Sequence, residues 1–198
     1  MKKKDVLQFN DNYESRRRKK LIFRGVIILL EIGLAILLAY GICAFGVEKT
    51  TMIGDSMEGI LTDGDKVIIN KFAYRFSKPK RFDVICFQQN GKEHSYYNIK
   101  RVIGLPGETI QIKHGSVYVN GEEMEEVIDV EALVNGGLAN EEITLDDNEY
   151  FVLGDNRNNS EDSRFANIGN IVADDIVGKV WIRLEPFNFI NELRGETS

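Results

Sequence analysis

Val26 to Val47, VIILLEIGLAILLAYGICAFGV, is 22 residues long and carries one charge, Glu31. A helix of that length spans about 33 Å, enough to cross the hydrocarbon core of a bilayer. A cleaved signal peptide has a shorter apolar stretch and a small-x-small cleavage site. This run is longer, and no clear site follows it. A buried core helix this long and apolar does not suit a domain of this size. The run therefore reads as a membrane span, and it divides the chain into a short head and a body.

Charge gives the division an orientation. Residues 1–24 hold nine Lys/Arg against three Asp/Glu, a net of +6, and the remaining residues carry a net of −12. Basic flanks stay on the cytoplasmic side. The expectation is an N-in, C-out single-pass protein in the cell membrane: a cytoplasmic basic N-terminus (1–24), a transmembrane helix (25–47) and an extracytoplasmic part (48–198). An acidic body also argues against a nucleic-acid partner, whose footprint is a basic face. Glu31 costs about 2.5–3.5 kcal/mol at a bilayer centre. It lies nearer the cytoplasmic end, where snorkelling serves as well as a partner helix.

Beyond the span the pattern becomes strand-like. DKVIINKF (65–72), DVICFQ (83–88), NIKRVIGL (98–105), ETIQIKHGSVYVNG (108–121), EYFVLGD (149–155) and IVGKVWIRL (176–184) are short runs rich in Val, Ile, Phe and Tyr, bounded by turn residues. KHGSVYVNG reads as a hairpin with His114-Gly115 at its tip. The fold class is mainly β: an antiparallel β-sheet body with a smaller β insertion over 107–148. The acidic stretch 122–149 reads as a peripheral segment with a long loop.

Three segments carry candidate chemistry. In IGDSMEGILTDGDKV (53–67), Ser56 is a candidate nucleophile without an obvious histidine. The two histidines, His94 and His114, lie in unpromising contexts. In NIKRVIGLPGE (98–108), strand alternation puts Ile99 and Arg101 on one face and Lys100 and Val102 on the other. If the Val102 face is inward, Lys100 is buried. A buried ammonium loses its proton readily, and the neutral amine then accepts one from a hydroxyl. Ser56 and Lys100 would form a serine–lysine dyad; the bland alternative is a pair of surface cations. In LGDNRNNSEDSR (153–164), Asp155, Arg157, Asp162 and Arg164 alternate, a pattern that locks a loop by charge-assisted hydrogen bonds. The interleaved arginines oppose a calcium loop. Two cysteines, Cys43 in the span and Cys86 in a strand, suggest neither a disulfide nor a metal site.

GDSM after a span, then KRVIGLPG, then GDNRNNSEDSR, in that order, closely resembles bacterial type I signal peptidases. The single-span layout resembles the Gram-positive form, from about Leu21 to Pro186. The resemblance implies a membrane-bound serine endopeptidase that removes signal peptides from secreted preproteins, with the bilayer and the export machinery as partners and no metal or cofactor. It implies Ser56 as nucleophile and Lys100 as general base. Ser160 would hydrogen-bond and orient the lysine amine. Asp155, Arg157, Asp162 and Arg164 would form the supporting network. Met52, Met57, Leu61 and Ile99 would wall the pocket for a small substrate side chain. The Ser56 N–H would hold the oxyanion.

Two positions depart from the family pattern. Gly59 stands where proline is usual, with an entropic cost of about 0.4–1 kcal/mol, and Phe82 stands where glycine is usual. Gly54 supplies no hydroxyl to the oxyanion site. These departures motivate a second reading: a non-catalytic or narrowly dedicated assembly factor for exported subunits such as pilins. A self-cleaving repressor of the LexA type also uses Ser and Lys, but the span and the lack of a DNA-binding helix pair oppose it.

Overall fold

The apolar run is helical. In the computed structural model, which describes residues 3–88 and 97–190, helix α1 covers Lys3–Gly46. Within it Lys20–Gly41 is long and apolar enough to cross a membrane, and none of that window is buried in the protein. Leu29 and Leu30 expose about 70% of their surface, which in water would be a severe cost. The helix and the region from Gly46 onward are separate compact units.

Among its described residues the second unit has twelve strands. β1 (Val47–Thr51), β2 (Lys66–Asn70), β3 (Val84–Phe87), β4 (Asn98–Gly104), β9 (Glu149–Leu153), β10 (Ile171–Val172), β11 (Ile176–Leu184) and β12 (Phe187–Phe189) make the larger sheet. Its order is β1-β2-β11-β3-β4-β9-β10, with β12 on β11. β5 (Thr109–Lys113), β6 (Ser116–Val119), β7 (Glu122–Glu123) and β8 (Ile143–Thr144) make a smaller sheet in the order β7-β6-β5-β8. Every pairing is antiparallel. The β5–β6 turn is His114-Gly115, both at positive φ, which the twist of a two-residue hairpin requires.

Three apolar clusters hold the sheets. One joins Met52, Met57, Leu61, Ile69, Cys86, Ile99 and Val180. A second joins Ile110, Ile112 and Val117 of the small sheet, with Leu133 and Leu145 of its connecting segments, to Ile103, Phe151 and Leu153 of the large one. A third lies around Ile85, Phe87, Val102, Tyr150 and Val152. Ile99 and Val102 fall in different clusters, so both faces of β4 are covered and a charged residue on either face is desolvated.

The stretch 122–149 is more firmly held than its composition suggests. Leu133, Ala139 and Leu145 are buried, and Leu138 N–H donates to Arg164 O at 2.8 Å. At Gly137, φ is +55° and a Cβ would stand 2.2 Å from that same carbonyl. Only glycine permits so close an approach, so the adjacent glycines are a docking point and not slack.

Candidate active site

Ser56 lies in the turn joining β1 to β2. Glu58 N–H donates to Asp55 O at 3.0 Å and Leu61 N–H to Met57 O at 2.9 Å, which coils residues 55–61. Met57 is fully buried and anchors the coil in the first cluster. Ser56 itself stays half-buried. Among the described residues, no acceptor takes the Ser56 backbone N–H.

β4 delivers the partner. Lys100 pairs in register with Ile85 of β3 and is 5% exposed. Its Nζ donates to Ser56 Oγ at 2.6 Å. Burial pulls the amine down to about 8 from an ordinary 10.5, against the opposing pull of Asp162, Asp155 and Glu161. Desolvation wins because Asp155 and Asp162 are already engaged by Arg101 and Arg164. The conditional step in the sequence reading, burial of Lys100, is met.

The charged segment divides its partners. Asp162 and Arg164 pair with each other, Nε to Oδ1 at 2.7 Å and Nη2 to Oδ2 at 2.9 Å. Arg164 also donates to Arg157 O at 2.6 Å and Asn135 O at 3.0 Å. Asp155 and Arg157 turn outward from the segment. Asp155 receives a bidentate fork from Arg101, at 2.7 and 2.6 Å. Arg157 forks onto Glu126 of the 122–149 stretch. Arg101 and Glu126 were not among the candidates from sequence. Lys-Arg within a strand apolar on both faces was the available signal for Arg101, since two adjacent buried cations each need an answer. Glu126 had none, being one of several acids in an acidic run.

Ser160 corrects an expectation. Its Oγ is buried and makes no hydrogen bond, so it does not hold the Lys100 amine here. It sits against Gly154, where a Cβ would come within 2.2 Å of it. Met52, Met57, Leu61 and Ile99 do come together, all in one cluster and none more than 3% exposed.

Both departures acquire a backbone reason. Gly59 has φ +108°, a value closed to proline, whose ring holds φ near about −65°. The turn here follows a path that proline could not fix, so glycine is the residue it requires. Phe82 has φ +71°, and its carbonyl accepts from Arg101 Nη1 at 2.9 Å. A position that favours glycine is thus occupied by phenylalanine under strain. His114 is a hairpin tip with no place near this site, and His94 lies outside the described residues.

A buried lysine against a serine, on a charged and cross-tied scaffold, matches a known family over most of the chain. Residues 26–185 fit the model described as "Signal peptidase, peptidase S26". The chain belongs to that family. It is 38% identical to a signal peptidase I of Leptolyngbya laminosa over 82% of this chain and 80% of that protein. It is 34% identical to signal peptidase I T of Bacillus subtilis strain 168, over 93% and 97%, and 33% to signal peptidase IB of Staphylococcus aureus strain Mu50, over 81% and 89%. A solved signal peptidase I from Enterococcus faecalis V583 overlays 52% of this chain and 97% of its own, at 30% identity and TM-score 0.41. The function is accordingly that of a signal peptidase I, a serine protease that removes signal peptides from exported preproteins, and a non-catalytic role is not favoured. The apolar α1 is compatible with membrane anchoring.

Proposed function

We propose that Ser56 is the nucleophile and Lys100 its general base, and that cleavage takes place outside the cell membrane. The single observation that carries this is the 2.6 Å contact between Lys100 Nζ and Ser56 Oγ in a setting that lowers the amine to about 8. With the amine neutral, the hydrogen bond reverses and the hydroxyl donates. Ser56 Oγ attacks the scissile carbonyl as its proton passes to Lys100. The oxyanion forms opposite the Ser56 N–H, which no described residue occupies. Lys100 then returns the proton to the leaving amine, and water hydrolyses the acyl-enzyme.

The substrate binds as an extended strand, with a small side chain against Met52, Met57, Leu61 and Ile99. Their gathering in one apolar cluster beneath the nucleophile turn supports this placement. Asp155, Arg157, Asp162 and Arg164 hold the loop that closes over β4. The basic residues 2–24 remain cytoplasmic and the body stands on the far side, where preproteins arrive from the export machinery. The test is cleavage of a purified preprotein in detergent or vesicles. Ser56→Ala and Lys100→Ala each abolish it; intact cleavage by both variants would sink the assignment. Protease protection of the body in inverted vesicles checks the orientation.

A further inference from the structure

Asn156 has no role in the mechanism above, yet it grips the nucleophile turn at three points. Its backbone N–H donates to Ser56 O at 3.1 Å. Its side-chain Nδ2 donates to Asp55 O and to Glu58 Oε2, both at 3.1 Å. With both amide hydrogens spent on acceptors, the amide's orientation is unambiguous.

Peptide planarity makes this grip consequential. The Ser56 N–H belongs to the peptide whose carbonyl is Asp55 O, and in a trans peptide the two point in opposite directions. Holding Asp55 O therefore aims the Ser56 N–H. Holding Ser56 O fixes the next peptide plane. Asn156 thus sets both planes flanking the Ser56 Cα, and with them the directions of Oγ and of the oxyanion donor. The turn needs such a hold because Gly59, at φ +108°, has nothing within 4 Å of the place a Cβ would occupy. Neither packing nor a proline ring stiffens it there.

We propose that Asn156 is the positioning residue of the Ser56 oxyanion donor, with Glu58 as its second anchor. This rests on Ser56 being the nucleophile. A mere tie between two loops would contribute stability and nothing else, so the test separates turnover from folding. Preprotein cleavage is measured on the full-length enzyme as kcat and KM, with Tm alongside, for Asn156→Ala, Glu58→Ala, Glu58→Gln and the neighbouring Asn158→Ala. Asn158 bonds Val134 N, Ala132 O and Glu131 but not the turn. Asn156→Ala lowers kcat about 10- to 100-fold with KM held within about twofold, as misplacement of a reacting group does. Glu58→Ala lowers kcat less, and Glu58→Gln, which keeps an acceptor oxygen, restores it. Asn158→Ala lowers Tm by a similar amount to Asn156→Ala without the loss in kcat. A near-normal kcat for Asn156→Ala, or an equal loss for Asn158→Ala, overturns the proposal. If Asn156→Ala does not fold, equal kcat for Glu58→Ala and Glu58→Gln overturns it. Cleavage by Ser56→Ala would instead overturn the nucleophile assignment, leaving the two failures distinguishable.

Discussion

Lys100 and Arg101 are adjacent on β4 and each is 5% exposed, yet their surroundings are opposite. Arg101 meets the Asp155 carboxylate in a two-pronged pair and the Phe82 carbonyl besides. Lys100 meets a single hydroxyl. The paired cation is structural, because a bidentate carboxylate compensates its desolvation. The cation without a bonded carboxylate is the proposed base, because burial outweighs the pull of Asp162, Asp155 and Glu161 and the proton is loosely held. One strand therefore carries a structural cation beside the proposed base, and a bonded carboxylate is what the one has and the other lacks.

The largest break in this comparison is on the chemical side. Ser56→Ala or Lys100→Met lowers kcat/KM by about 10⁴-fold or more, as losing a member of such a unit does, measured by preprotein cleavage. Next is the structural side. Arg101→Met leaves Asp155 buried and unpaired and lowers unfolding free energy by about 3–5 kcal/mol, read by denaturant unfolding. Lys100→Met acts oppositely on stability. The fall from 10.5 to about 8 corresponds to about 3 kcal/mol carried by the folded state below pH 8. The folded value lies below the unfolded one, so wild-type stability rises as pH climbs from about 8 to 10.5. The gain from Lys100→Met is thus full below pH 8 and fades by about pH 10.5, which Tm against pH checks. Equal destabilisation by both substitutions would erase the contrast.

Activity should carry the same signature. The reactive amine is neutral, so kcat/KM rises about tenfold per pH unit below 8 and levels above it; a profile flat from pH 6 to 9 would remove Lys100 as base. The smallest effect is at Phe82. Phe82→Gly relieves left-handed strain of about 1–2 kcal/mol and gives up half-buried packing of about the same size. The net change in Tm is small, and kcat is unchanged because only the backbone carbonyl touches Arg101.

Much of this was legible in the residues. All six strand runs named from sequence contain strands, and the hairpin tip at His114-Gly115 is where turn chemistry put it. The burial of Lys100 followed from alternation, and its contact with Ser56 is what a base in place of a histidine would need. The short strands β7, β8, β10 and β12 were not legible, since two or three residues carry no period to read. Nor was the firmness of 122–149, because an acidic composition conceals ties made to loops far along the chain. Ser160 shows the limit of pattern transfer: its place in the motif suggested a bond to Lys100 that its side chain does not make.

What the sequence determined by itself was local. A 22-residue apolar run can only be stable away from water, alternating β-branched runs can only be strands, and a motif order can name a family. What the tertiary structure decided was partnership. Asp155 chooses Arg101, Arg157 chooses Glu126, and Asn156 reaches back a hundred residues to Asp55 and Glu58. The physical reason is that desolvation and hydrogen-bond direction depend on what surrounds a group in three dimensions. Lys100 and Arg101 differ little on the page of the sequence, and only the fold gives a carboxylate to one and a serine to the other.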